Sequence, residues 1–310
     1  MKDKKVIFMG TPDFSVPVLE GLIKETNVVL VVTQPDKKVG RKQILKYSPV
    51  KEIALKNNIE VFQPAKIRED YNKLKEVESD IIITCAYGQI IPKEVLNLCS
   101  YGAINVHASI LPKLRGGAPI HKAIIYGYKE TGVTIMYMDE KMDAGDIIDS
   151  KKIEIKNDYD AGILHDKLSI IGRDLLLQVL PSIFDRTNKR IKQDEKEVTY
   201  AYNITREEEK INFNTSVVNV YNQIRGLYPF PISYFLLDNN TIKVLKARKS
   251  NEKSMTPGII TRIGKDFIAI STEDYDIEIT KIKPSGKKEM DVKDYLNGVK
   301  KEELIGKKVG

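Results

Sequence analysis

Gly102-Ala103-Ile104-Asn105-Val106-His107, running on into Ala108-Ser109-Ile110-Leu111-Pro112, is the stretch from which the rest of the chain can be read. An apolar run that ends in polar side chains predicts a strand. In a strand Asn105 and His107, two apart, leave on the same face. Open α/β sheets collect their ligand-handling groups at strand ends and in the loops that follow. An amide can donate to an oxyanion and an imidazole can donate or move a proton, so the pair suits a small acyl-transfer site. Taken alone, such a pair is more often a turn-forming amide and a half-buried imidazole than a catalytic pair. Asp143, in Met142-Asp143-Ala144-Gly145-Asp146, adds a carboxylate that would orient His107 or take the proton an attacking nucleophile must lose. Arg115-Gly116-Gly117-Ala118-Pro119 reads as a shaped loop whose backbone can approach a ligand closely.

Outward from this stretch the pattern repeats. Val6–Gly10, Val28–Thr33, Ile59–Phe62, Asp80–Cys85 and Gly102–His107 read as short apolar strands, separated by helical patterns at Phe14–Lys24, Pro49–Asn57 and Pro92–Asn97. Strands alternating with helices predict an α/β fold, a Rossmann-like and mostly parallel sheet built from right-handed crossovers. Gly10-Thr11-Pro12-Asp13 falls at the first strand-to-helix turn but is not Gly-x-Gly-x-x-Gly, so dinucleotide binding is excluded. Thr11 or Asp13 is expected to cap the helix there. Ile147–Ile155 follows as a strand and Tyr159–Phe184 as a long amphipathic helix that Pro181 should kink or end. Asp185–Arg206 is polar, charged and poorly periodic, the composition of a linker. Beyond it a helical stretch, Thr215–Leu227, precedes short β runs at Ser233–Leu237, Thr241–Ala247, Gly258–Arg262, Phe267–Ser271 and Asp276–Lys283. Those runs suggest a small barrel. The expected division is therefore 1–184, a linker at 185–206, and 207–310.

The composition fits a two-domain soluble protein: 310 residues, 42% hydrophobic and 30% charged. No apolar run approaches the ~20 residues that span a bilayer, so no membrane partner is expected. Lys2, Lys4 and Lys5 precede only Val6–Met9, too short for a signal-peptide core, and the block reads as a first strand. Cys85 and Cys99 have neither zinc nor redox spacing, and with a buried thiol at Cys85 a reducing, cytoplasmic setting is expected. The net charge of +7 permits a polyanionic partner without demanding one. Gln34–Ser48 carries Lys37, Lys38, Arg41, Lys42 and Lys46 around Gly40, without strong periodicity. It reads as a basic loop, and structureless loops longer than about 12 residues in compact domains are usually functional or disordered.

Several motifs occur in order: Phe8-Met9-Gly10-Thr11-Pro12, Gln34-Pro35-Asp36, Ala86-Tyr87-Gly88-Gln89-Ile90-Ile91-Pro92, Asn105 through Pro112, Arg115-Gly116-Gly117-Ala118-Pro119-Ile120, Met142 through Asp146, and Tyr228-Pro229-Phe230-Pro231. The ordered set resembles the folate-dependent formyltransferases, and among them those acting on charged initiator tRNA. It covers most of the chain. The resemblance implies formyl transfer from 10-formyltetrahydrofolate to the amino group of methionyl-tRNA, with Asn105, His107 and Asp143 catalytic. It implies a folate cosubstrate lined by Ser109, Ile110, Leu111 and Pro112, an OB-like barrel as the second domain, and no metal. It also implies that Arg41 enters the tRNA acceptor stem, with Lys42, Lys37 and Lys38 on phosphates. The expected partners are charged initiator tRNA and the folate, acting on a cytoplasmic monomer. Two departures stand out: His121 where the family more often has glutamine, and a second glycine at Gly117. The rival readings are a formyltransferase for a small amine or amino sugar, and a noncatalytic RNA-binding module.

Overall fold

The computed structural model describes residues 1–40, 43–253 and 256–310. Arg41 and Lys42, assigned above to tRNA, lie outside the described residues. The chain divides into two compact units: Met1–Pro119 with Glu130–Glu154 and His165–Tyr202, and Ile120–Lys129 with Ile155–Leu164 and Asn203–Gly310.

The first unit is built on β1 (Lys5–Gly10), β2 (Asn27–Val32), β3 (Lys37–Val39), β4 (Ile44–Lys46), β5 (Val61–Phe62), β6 (Ile81–Cys85), β7 (Ala103–His107), β8 (Glu130–Tyr137) and β9 (Ile147–Glu154). Seven of these form one sheet in the order β5-β2-β1-β6-β7-β8-β9. The pairs from β5 to β7 are parallel, and β7–β8 and β8–β9 are antiparallel. The sheet is therefore Rossmann-like and mostly parallel. Strand order reverses between β1 and β6, the switch point at which such sheets open a crevice beyond their carboxyl ends. Both faces are covered, which explains runs such as Ile81-Ile82-Ile83 with every residue buried. The strand β8 carries a similar run, Val133–Met136, which the sequence reading passed over; it follows a short helix at Pro119–Ile125.

Four local expectations change. The first helix starts at Val16, after a 3-10 turn at Asp13–Ser15, and neither Thr11 nor Asp13 caps it; the Thr11 hydroxyl instead donates to the carbonyl of Tyr87 at 3.1 Å. The long helix, Ala161–Phe184, runs through Pro181, because a proline in the last turn forfeits only one backbone bond before the helix ends. Within Gln34–Ser48, β3 and β4 pair antiparallel, with Lys37 opposite Lys46 and Lys38 opposite Leu45, where an irregular loop was expected. The base of this hairpin is anchored: Lys51 Nζ bonds Asp36 Oδ2 at 2.6 Å and Gln63 Oε1 at 2.7 Å, and Gln63 Nε2 bonds Asp36 Oδ1 at 2.9 Å. Asp185–Arg206, linker-like in composition, is held along much of its length. Ile191 pairs with Ile147, the backbone of Thr199 and Ala201 bonds that of Arg115 and Ala118 in the loop after β7, and the Thr199 hydroxyl accepts the N–H of Leu114.

In the second unit β10 (Tyr234–Leu237), β11 (Asn240–Lys253), β12 (Ile260–Ile263), β13 (Ile268–Ser271), β14 (Tyr275–Pro284) and β15 (Met290–Asp291) form an antiparallel sheet ordered β10-β11-β14-β13-β12, with β15 on β14. Register shifts along β11 and β14 curl it into a half-barrel. Asp238 and Asn239, both at positive φ, make the two-residue turn between β10 and β11. Helix Val217–Gly226, capped by Ser216, buries Val217, Val220 and Ile224 among Phe235, Val244, Ile270 and Ile277.

The bonds from Lys51, and next from Gln63, hold the Asp36 carboxyl below the usual carboxylate range. A depressed folded-state pKa stabilises the fold above the unfolded value of ~3.9 and is lost as pH falls through the folded one. Asp36→Asn should lower the melting temperature near neutrality. The gap to the wild type should close in thermal scans taken below about pH 4.

Candidate active site

The strand β7 places Asn105 and His107 on one face and Val106 on the other, where it meets the long helix at Gly172. A Cβ at Gly172 would stand 2.9 Å from Val106 Cγ1, so this approach is as close as backbone allows. On the opposite face the hydroxyl of Thr84, in register with Asn105 on β6, donates to Asn105 Oδ1 at 2.7 Å. With Oδ1 accepting from Thr84, Nδ2 is the end of the amide left over. The Nδ2 group is left without a hydrogen-bond partner among the described residues, available to an acceptor oxygen.

His107 is buried, and its Nε2 lies 3.1 Å from the carbonyl of Leu114. A carbonyl only accepts, so Nε2 carries the proton and Nδ1 is the basic nitrogen. Nδ1 faces Asp143 Oδ2 at 3.6 Å. Leu114, rather than Asp143 as the sequence suggested, therefore sets the tautomer. Asp143 is placed to stabilise the imidazolium once Nδ1 takes a proton.

Asp143 sits at φ +50, and its carboxylate accepts the backbone N–H of Gly116 at 2.8 Å. Gly116 has φ +122, and a Cβ there would lie 2.7 Å from the carbonyl of Ala201, so glycine is required. Gly117, the departure noted above, is exposed. Arg115, 3% exposed, donates from Nε and Nη2 to Gln193 Oε1 at 3.0 and 2.8 Å and pairs with Glu195 at 3.0 Å. Gln193 Nε2 donates to the carbonyls of Asp143 and Gly145, both at 2.8 Å.

The structure thus brings His107 and Asp143 together and places Asn105 on the same face. Ser109 is fully buried, its hydroxyl donating to Lys113 O at 2.6 Å, and Leu111 is buried with its N–H on Thr134 Oγ1. Ile110 and Pro112 are half-buried. Lys37 and Lys38 are exposed on β3. Cys85 is enclosed, and burial pushes its thiol up to about 12, which makes it no nucleophile. Among the described residues no His, Cys, Asp and Glu side chains converge as metal ligands. None is on a helix long and apolar enough to cross a membrane. Sequence reasoning missed Thr84 and Gln193. Thr84 had a signal, as the one hydroxyl in an apolar strand; Gln193, in a charged stretch, had none.

A mostly parallel sheet with an amide and an imidazole at one strand end, and a carboxylate from a neighbouring loop beside them, has the groups that acyl transfer uses. Residues 4–180 match the formyl transferase family model and residues 203–300 its C-terminal domain, so the chain belongs to the formyl transferase family. Among its relatives are the methionyl-tRNA formyltransferases of Staphylococcus epidermidis, 50% identical over 98% of both chains, and of Macrococcus caseolyticus, 48% identical over 98% of both. The fold is shared with WlaRD, a sugar 3N-formyl transferase crystallised with dTDP and 5-N-formyl-THF, at a TM-score of 0.68 and 23% identity, covering 93% of this chain and all of that one. It is shared also with HypX from Aquifex aeolicus in complex with tetrahydrofolic acid, at a TM-score of 0.63 and 15% identity, over 96% of this chain and 47% of that one.

The Thr84 hydroxyl bonds the Asn105 amide at its oxygen. A neutral hydrogen bond is worth ~1 kcal/mol, and about 1.4 kcal/mol is tenfold in rate. Thr84→Val should therefore lower kcat on the order of five- to tenfold, against ~100-fold or more for Asn105→Ala. Single-turnover formyl transfer checks both, and equal losses would place Thr84 on the reactants themselves.

Proposed function

We propose that Asn105, His107 and Asp143 carry the transfer of the formyl group of 10-formyltetrahydrofolate to the free amine of methionyl-initiator-tRNA. The enzyme is a formyltransferase, and formylation of methionyl-tRNA is the activity its relatives support. The observation that carries the assignment is the His107 Nδ1 to Asp143 Oδ2 approach of 3.6 Å beside an amide whose Nδ2 is aimed by Thr84.

The chemistry follows from these groups. Asn105 Nδ2 donates to the formyl oxygen as negative charge builds on it during attack by the neutral amine. A preorganised donor of this kind contributes ~3–4 kcal/mol. His107 Nδ1, its partner nitrogen committed to Leu114, accepts the proton that the attacking nitrogen sheds. Asp143 holds the resulting imidazolium until the proton passes to the departing nitrogen of the folate. Nothing in this sequence of steps calls on a covalent enzyme intermediate. The backbone of Ile110, Leu111 and Pro112, with Ser109 stabilising their turn, supplies the wall for the folate.

The hairpin supports a polyanionic acceptor. Lys37 stands directly opposite Lys46, and like charges so paired destabilise a ladder unless an anion lies across them. Lys37, Lys38 and Lys42 are assigned to phosphates, which position without reading sequence, and Arg41 to the acceptor end. We assign catalysis to residues 1–184 and tRNA binding to 207–310 with the hairpin. The protein acts as a cytoplasmic monomer.

His107→Asn and Asp143→Asn should each lower turnover at least about a hundredfold while tRNA affinity changes less than about threefold. Gel-filtered, folded variants with near-normal turnover would remove that residue from the site. Arg41→Ala should depress formylation of charged initiator tRNA and erase its preference over elongator tRNA, and Lys37→Ala with Lys38→Ala should weaken both tRNAs alike and flatten the salt dependence. Transfer to a small amine or amino sugar in place of tRNA would favour the rival acceptor. RNA binding without any transfer would favour a noncatalytic module.

A further inference from the structure

Between Lys189 and Glu197 every residue is exposed except Gln193. All four hydrogen-bonding positions of its amide are engaged. Oε1 accepts Nε and Nη2 of the buried Arg115, and Nε2 donates to the carbonyls of Asp143 and Gly145. Asp143 is a non-glycine residue in the left-handed region, at φ +50. That conformation costs free energy, so the surroundings must hold it. The next residue after Arg115, Gly116, binds the Asp143 carboxylate. The Asp143 main chain and side chain are thus referred to one short segment, Arg115–Gly116, directly through the Gly116 N–H and indirectly through Gln193.

We propose that Gln193 is a positioning residue: it fixes the Asp143 backbone so that the carboxylate faces His107 Nδ1. The proposal rests on the assignment of Asp143 to proton handling. The plain alternative is that Gln193 only fastens the segment 189–197 to Arg115, a task it shares with the exposed Glu195.

Two substitutions separate these roles. In Gln193→Glu both oxygens accept, so the Arg115 contact survives while the bonds to the carbonyls of Asp143 and Gly145 are replaced by repulsion. Glu195→Gln does the reverse: it weakens the pairing with Arg115 and leaves the Asp143 loop alone. Positioning predicts that Gln193→Glu lowers kcat at least tenfold, with KM for formyl-folate and for charged tRNA within threefold. It also predicts faster amide exchange in a peptide covering 142–147, and no change in kcat for Glu195→Gln. Fastening predicts the opposite ranking. A folded Gln193→Glu enzyme with kcat within twofold of wild type, or a loss confined to KM, overturns the proposal. Should Gln193→Glu not fold, Gln193→Ala decides by the same criteria, an unchanged kcat refuting it. If the wild type itself transfers no formyl group to charged tRNA, the functional reading fails. Amide exchange then judges the hold of Gln193 on residues 142–147 independently.

Discussion

The contact of Val106 with Gly172 is the constraint on which the site depends. Because side chains in a strand alternate, burying Val106 against the long helix commits Asn105 and His107 to the other face. A slip of one residue in β7 would put His107 under the helix and Val106 into the crevice. The glycine removes the Cβ that would keep helix and strand apart. The parallel ladder with β6 then sets Thr84 beside Asn105, so the phase of one strand and the register of the next jointly aim an amide.

The carboxylate reaches the same place by a different route. Asp143 is on no strand; it hangs on a loop between β8 and β9 whose conformation is non-standard at the residue that matters. Such a loop is held by donors around it, and here these are a glycine N–H and a side-chain amide backed by a buried guanidinium. A buried charge is stable only when its donors are satisfied. For Arg115 the partners come from a segment almost 80 residues further on that is otherwise solvated. Desolvation would win over the gain from a single surface ion pair, so the amide of Gln193 is as necessary to Arg115 as Glu195 is.

The hairpin β3–β4 follows another logic. Its strands are short and largely exposed, and they set lysine against lysine. What keeps it attached is its base, where Asp36, Lys51 and Gln63 satisfy one another half-buried. A rigid base and a charged, weakly self-paired body suit a probe that exchanges water for phosphate on binding.

Much of this was legible in the chain. Periodicity gave β1, β2, β5, β6 and β7 and the parallel sheet, because short apolar runs between helical patterns have few other uses. The pairing of Asn105 with His107 follows from spacing alone. The motifs from Phe8 to Pro231, taken in order, carried the family. Tertiary structure decided the rest. The tautomer of His107 depends on the carbonyl of Leu114, a residue at φ +61 in the loop after β7. The hairpin at 37–46 forms against its own charge pattern because its ends are pinned by residues up to 27 positions away. The linker-like composition of 185–206 concealed Gln193, since a single amide among charges has no periodicity to betray it. Its role exists only where Arg115, Asp143 and Gly145 converge, and hydrogen-bond geometry between distant segments leaves no trace in local sequence.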